Sequence, residues 1–213
     1  KNEQILIVTD AELKSVATIF YEAGVDLGNE TMLMEMMSRS KSGEEPPHTV
    51  SEAMKSAEVV LCITKHSLTH TNARKEASAA GARVATMPGV TLDMLEEGAI
   101  SADYSEVEKL TNEYCTILEN GKWVEIRKNE CSLSFSIENR NAIPSTGVFR
   151  KKGESGNLPS GESYIAPVED SANGTIMIDG AIAGLGVLSE PIMLTLEKGR
   201  LVDASGEMGQ QLL

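Results

Sequence analysis

Two hydrophobic regimes follow one another along this chain. In the first, short unbroken apolar runs alternate with apolar residues spaced three and four apart. Ile5-Leu6-Ile7-Val8 is such a run, rich in β-branched side chains, and predicts a strand buried on both faces. Asp10 then stands where a helix N-cap belongs. Leu13, Val16, Phe20 and Ala23 recur at helical spacing, and Gly24 closes the predicted helix. Val25-Asp26-Leu27 gives a weaker second strand. The stretch holding Met32, Met34, Met36 and Met37 predicts a short helix, followed by an exposed loop to Pro47. Thr49 and Glu52 form a capping box that opens a helix to Ala57. Val59-Val60-Leu61-Cys62-Ile63-Thr64 is the strongest strand signal of the chain. A helix through Ala73, Ala77 and Ala80 ends at Gly81, and Arg83 to Met87 is a further strand, stopped by Pro88-Gly89. A second capping box, Ser105 with Glu108, opens a long helix with Val107, Leu110, Tyr114, Ile117 and Leu118 on one face, ended by Gly121.

From Lys122 the period changes to two. Trp123 to Arg127, Ser132 to Ile137, Thr175 to Ile178 and Ile192 to Leu196 read as strands, with Gly, Asn and Pro between them and little helix. The expected fold is therefore α/β: a parallel-sheet, Rossmann-like domain with helices on both faces over 1–121, then a β-rich domain over 122–213.

Composition narrows what such a protein does. A formal charge of −13 argues against a nucleic-acid partner and against an anionic membrane surface, both of which call for clustered Lys and Arg. No apolar run is long enough to cross a bilayer, and no signal peptide opens the sequence, so the cytoplasm is the expected location. The three cysteines, Cys62, Cys115 and Cys131, have no metal-ligand spacing and read as reduced, buried thiols. Lys1 stands where an initiator Met would, which suggests that sequence is missing upstream.

Phosphate-loop, dinucleotide, zinc-protease and serine-hydrolase signatures are absent. Three stretches remain. His66 and His70 lie four apart after a central strand, so a helix begun early would place both imidazoles on one face, as a metal pair requires. The plainer reading, in which Ser67 or Thr69 caps that helix and His66 lies outside it, is favoured because no third ligand is near. Thr86-Met87-Pro88-Gly89-Val90-Thr91 reads as a turn with Thr91 capping the next segment. In Asn157-Leu158-Pro159-Ser160-Gly161-Glu162, a tight turn delivers the Glu162 carboxylate to the start of a strand, and Asn173-Gly174 marks a second turn. Carboxylates suit Zn²⁺, Mn²⁺ or Co²⁺, but a single Glu after Gly is more often solvated.

The run N-L-P-S-G-E-x-Y-I-A-P, then S-A-N-G-T and I-D-G, resembles the aminopeptidase T and S family of metallopeptidases (leucyl aminopeptidase-like). S-L-T-H-T-x-A-R over Ser67 to Arg74 and the T-M-P-G turn add to the match. The resemblance implies a cytoplasmic metallo-aminopeptidase, homodimeric when full length, that removes N-terminal residues from peptide substrates. It also implies two divalent ions (Zn, Co, Mn or Mg), with Glu162 as one metal ligand. The family's remaining ligands, a glutamate, two histidines, an aspartate and a tyrosine, lie further downstream. His70 is the last histidine here, so the catalytic residues are expected beyond Leu213 and the chain as given is expected to be incomplete and inactive. A related branch, similar to dihydroxypyridine dioxygenases, shares P-S-G and S-A-x-G-T and uses a single non-haem iron; it need not keep the glutamate. An inert ligand-binding or assembly module is the alternative from another class.

Overall fold

The computed structural model describes residues 3–213. In chain order the elements are β1 (Gln4–Asp10), α1 (Lys14–Asp26), β2 (Glu30–Met36), α2 (His48–Ser56), β3 (Val59–Ile63), α3 (Asn72–Ala79), β4 (Arg83–Thr86), α4 (Leu92–Glu96), a 3₁₀ turn (Ala99–Ser101) and α5 (Tyr104–Asn120). Then come β5 (Trp123–Lys128), β6 (Cys131–Ser136), β7 (Ile143–Ser145), β8 (Ser155–Asn157), β9 (Glu162–Tyr164) and β10 (Asn173–Ile178). The last are β11 (Ala181–Ile182), β12 (Gly186–Val187), β13 (Ile192–Glu197), β14 (Arg200–Ala204) and α6 (Gly206–Gln210). The chain divides into two units, Lys1–Thr111 with Ser145–Glu162, and Asn112–Pro144 with Ser163–Leu213.

The first unit is an open parallel sheet in the order β2-β1-β3-β4-β8. Alternation along β1 sends Leu6 and Val8 to one face, where α2 and α3 supply Val50, Met54, Ala73 and Ala77. Ile7 faces the other way, with Val16 and Ala17 of α1 and Met94 and Leu95 of α4. Helices therefore cover both faces, as the unbroken apolar runs require. The second unit is an antiparallel sheet in the order β14-β13-β10-β6-β5. Its β13–β14 hairpin turns through Lys198 and Gly199, both at positive φ (48° and 74°), the pairing that a two-residue hairpin loop favours. Among the described residues no helix is long and apolar enough to cross a membrane.

The α/β class stands, and several local expectations are corrected. Asp10 ends β1 and is no N-cap; α1 begins at Lys14. Gly24 does not close α1 but lies buried within it, because a Cβ there would come within 2.6 Å of the Thr31 hydroxyl. The helix runs through Val25 and Asp26, so no strand forms there, and Gly28 at φ 80° turns the chain. The Met-rich stretch is β2: Met32, Met34 and Met36 alternate at period two, which outweighs their helix preference.

Neither capping box forms. Pro47, with φ −55°, is the N-cap of α2 two residues before Thr49, and Glu52 instead pairs with Lys55 (2.6 Å). At α5 the cap is Asp103, whose carboxylate accepts the Ser105 N–H (2.9 Å), while Glu108 pairs with Arg150 (2.7 Å). The expected core face of α5 is also wrong, since Leu110, Tyr114 and Ile117 are 51%, 61% and 65% exposed and Thr111 and Cys115 are the buried positions. Asn173-Gly174 is no turn but the start of β10. Gly174 sits there at φ 123° with Ser132 O only 2.1 Å from where a Cβ would be.

Candidate functional site

In the parallel sheet the carboxyl ends of β1, β3, β4 and β8 share one edge. The chain reverses its lateral direction between β1 and β3, and at such a switch point the loops diverge and leave a crevice. Asp10 sits there, fully buried. Its Oδ2 accepts the Lys65 N–H (2.8 Å) and fastens the loop after β3 to that after β1, while its Oδ1 accepts the Leu13 N–H of its own loop (3.3 Å). Above it, Lys65 pairs with Glu12 (2.9 Å), an exposed ion pair of little energetic consequence.

Further along the edge lies a neutral polar cluster. The Thr86 and Thr69 hydroxyls both donate to Asn157 Oδ1 (2.7 and 2.9 Å). Their own oxygens are 2.7 Å apart, and Ser67 Oγ lies 2.7 Å from Thr69 Oγ1. Arg74 braces the cluster, donating from Nε to Thr69 O (2.8 Å) and from Nη1 to Ser155 Oγ (3.1 Å). Such an edge can donate and accept hydrogen bonds, and the same loop after β3 carries His66 and His70. Ser67 and Thr69, expected as helix caps, are members of this cluster instead. The cap is Thr71, whose hydroxyl accepts the Arg74 N–H (3.2 Å). His66 and His70 therefore both precede α3, and one helical face does not carry them together.

Thr86 and Asn157 come together only because β8 pairs with β4, a pairing that no local pattern announces. From Asn157 the turn to Glu162 is held closely. The Leu158 N–H donates to Thr86 O (2.9 Å) and the Gly161 N–H to Ser145 O (3.0 Å). The Leu158–Pro159 peptide is cis. Glu162 begins β9 as expected, exposed, and its carboxylate makes no hydrogen bond or ion pair with the described residues.

Among the described residues no group of three or more His, Cys, Asp or Glu side chains lies close enough to hold a metal ion. Catalytic metal sites use about three protein ligands, so these residues do not by themselves fit a metal centre. The three thiols are unpaired and buried, and burial pushes Cys62 up to about 12. With no metal bound, Cys62 is therefore a protonated thiol near neutral pH and a poor nucleophile.

These features define an open-sheet α/β protein with a polar carboxyl edge. A family model described as "NicX: 2,5-dihydroxypyridine 5,6-dioxygenase" matches residues 1–213, and the chain belongs to that family. A solved structure, 2,5-dihydroxypyridine dioxygenase from Pseudomonas putida KT2440, superposes with a TM-score of 0.81 at 17% identity, over 99% of this chain and 65% of that one. Wild-type AmpT from Thermus thermophilus superposes with a TM-score of 0.61 at 13% identity, over 100% of this chain and 68% of that one. Comparison with curated protein sequences gives no match. The likeness to an aminopeptidase T is thus one of fold at low identity. The expected function, a hydrolase acting as a metallo-aminopeptidase on peptides, is overturned by the family match and by the dioxygenase superposition.

Proposed function

We propose that the protein is a metal-dependent dioxygenase that opens the ring of a dihydroxylated pyridine. The observation that carries this reading is the family match, which spans residues 1–213. The metal belonging to it is a single non-haem iron, in place of the divalent pair that the peptidase resemblance implied. The described residues do not assemble the donor set for that iron. They contribute the hydroxyl and amide groups of Ser67, Thr69, Thr86 and Asn157, which suit a flat, hydroxylated heterocycle. Within the same reading Glu162 is our candidate for a carboxylate at the metal, supported by its exposure, its lack of a partner and its place at the end of a fixed turn. Buried, unpaired Cys62, Cys115 and Cys131 support a reducing, cytoplasmic setting.

The test uses the protein expressed from its complete natural reading frame and loaded with ferrous iron. Dioxygen uptake in equal moles with loss of 2,5-dihydroxypyridine is expected. Iron-loaded protein that consumes neither overturns the proposal. For Glu162, the Glu162→Gln protein is expected to lose most of its iron, and unchanged iron content removes it from the ligand set.

A further inference from the structure

The segment from Asn157 to Gly161 is fixed far more tightly than a surface turn needs to be. Asn157 is held by Thr86 and Thr69, and Leu158 by the carbonyl of Thr86 and by the apolar cluster under α1 and α4. The Ser160 N–H donates to the Tyr104 hydroxyl oxygen (3.3 Å). Ser145 O accepts twice, from the Ser160 hydroxyl (2.8 Å) and from the Gly161 N–H (3.0 Å).

Counting protons gives the remaining contact a direction. The two serine oxygens are 2.7 Å apart. The single Ser160 hydroxyl proton goes to Ser145 O, so the Ser145 hydroxyl is the donor to Ser160 Oγ. Ser145 and Ser160 thus close a small ring of hydrogen bonds. The side chains of α5 press on it from one side. A Cβ on Gly147 would come within 2.3 Å of the Tyr104 ring, and one on Gly161, at φ 131°, within 2.9 Å of Val107 Cγ1. All of these residues belong to the first unit.

Anchoring the core does not require this. Leu158 already ties the turn to the apolar cluster, and the serine ring lies beyond it in the chain. The very next residue is Glu162, exposed and without a partner. Rigid support under an unpartnered polar group is the arrangement by which proteins hold a reacting group within a fraction of an ångström of its working position.

We propose that Tyr104, Ser145 and Ser160 form a clamp that positions the Glu162 carboxylate for the reaction of this protein. The clamp's link to turnover rests on the dioxygenase reading above, while its mechanical part does not.

The experiment uses the iron-loaded protein from the complete reading frame. Ser160→Ala is expected to lower kcat about tenfold with KM for 2,5-dihydroxypyridine nearly unchanged, the pattern of a misplaced reacting group. Ser160→Thr, which keeps the hydroxyl, is expected to restore most of the rate. Measured per bound iron, Ser160→Ala added to Glu162→Gln is expected to cost nothing further, because the clamp acts only through the carboxylate. Amide hydrogen exchange at Gly161 and Glu162 is expected to quicken about tenfold in both Ser160→Ala and Ser145→Ala, as for any local loosening of a tethered turn. A kcat unchanged in Ser160→Ala, or a loss that adds in full to that of Glu162→Gln, overturns the clamp. Should the wild-type protein not turn over dihydroxypyridine, the functional reading fails and the exchange result alone decides: unchanged exchange overturns the clamp, and quickened exchange supports it.

Discussion

Asp10 gives the sharpest test of how the carboxyl edge is held. Its Oδ2 accepts the Lys65 N–H at 2.8 Å, its Oδ1 shares the Leu13 N–H (3.3 Å) with the Asp10 backbone oxygen (3.2 Å), and the residue is fully buried. Hydrogen bonds to a charged acceptor contribute about 1.5–3 kcal/mol each, with the longer one near the bottom of that range. Against this stands the cost of holding a carboxylate out of water, which Asp10→Ala removes along with the bonds. Lys65 is itself exposed, so its freed N–H recovers water and part of the loss. We therefore expect Asp10→Ala to destabilise the protein by about 2 kcal/mol, below the simple sum of two bonds. Asp10→Asn keeps one acceptor and sets an amide donor against the other N–H, so it is expected to fall between wild type and Ala. Urea titration measures the total, and amide exchange at Lys65 localises it to the junction of the loops after β1 and β3, since the Leu13 N–H keeps the Asp10 backbone oxygen. An Asp10→Ala protein within about 0.5 kcal/mol of wild type, with unchanged exchange at Lys65, would refute the view of Asp10 as the fastener between these loops.

Two further outcomes rest on single positions. Burial holds the Cys62 thiol at about 12 against an ordinary 9.0, so the folded state keeps a proton that the unfolded chain loses first. Its contribution is intact below pH 9 and is lost as pH rises from there toward 12. Between pH 8 and pH 10 wild type should lose about 1.4 kcal/mol more stability than Cys62→Ala, measured by denaturant titration at each pH; parallel curves would contradict this. Gly174→Ala should cost about 3 kcal/mol or more, because φ 123° and the approach to Ser132 O leave a methyl no room between β10 and β6. A soluble Ala variant with near-normal stability would show that the β6–β10 pairing is looser than the geometry requires.

Strands were the most legible part of the sequence. β1 and β3 are unbroken apolar runs, β5 and β6 alternate, and β4, β10 and β13 are short strand-forming stretches set off by Gly or Pro, so each announces itself locally. Helix starts were less legible, because competing caps stood close together. Pro47 and Asp103 set the starts that Thr49 and Ser105 had suggested, and Thr71 took the place expected for Ser67 or Thr69. At β2, a residue type with good helix propensity hid a period of two. The stripe on α5 was correctly periodic, yet periodicity reports which residues share a face and not whether that face is covered. Of the candidate site, only the arrival of Glu162 at a strand start was readable. The groups around it meet across 15 residues for Ser145 and Ser160 and 88 for Thr69 and Asn157, distances over which no local pattern operates.

The stretch that gave the strongest resemblance, Asn157 to Gly180, explains why a hydrolase and an oxygenase could both be read from it. Its distinctive residues are those that the backbone demands. Ser160 and Gly161 close onto Ser145, and Gly161 leaves room for Val107. Asn173 accepts the Lys198 N–H through its side chain (2.9 Å), Gly174 clears Ser132 O, and Asp179 pairs with Lys128. Each is a requirement of turn geometry or strand pairing, and none commits a proton, an electron or a metal. A motif composed of such residues identifies a fold, and a fold supports more than one chemistry. Chemistry enters with the donors arranged around a reacting atom. Of the carboxylates in this stretch, Asp179 pairs with Lys128 and Glu169 with Arg140, while Glu162, at the end of the fixed turn, is left without a partner among the described residues. That is why the functional tests converge on the Glu162 side chain and on the serines that hold it.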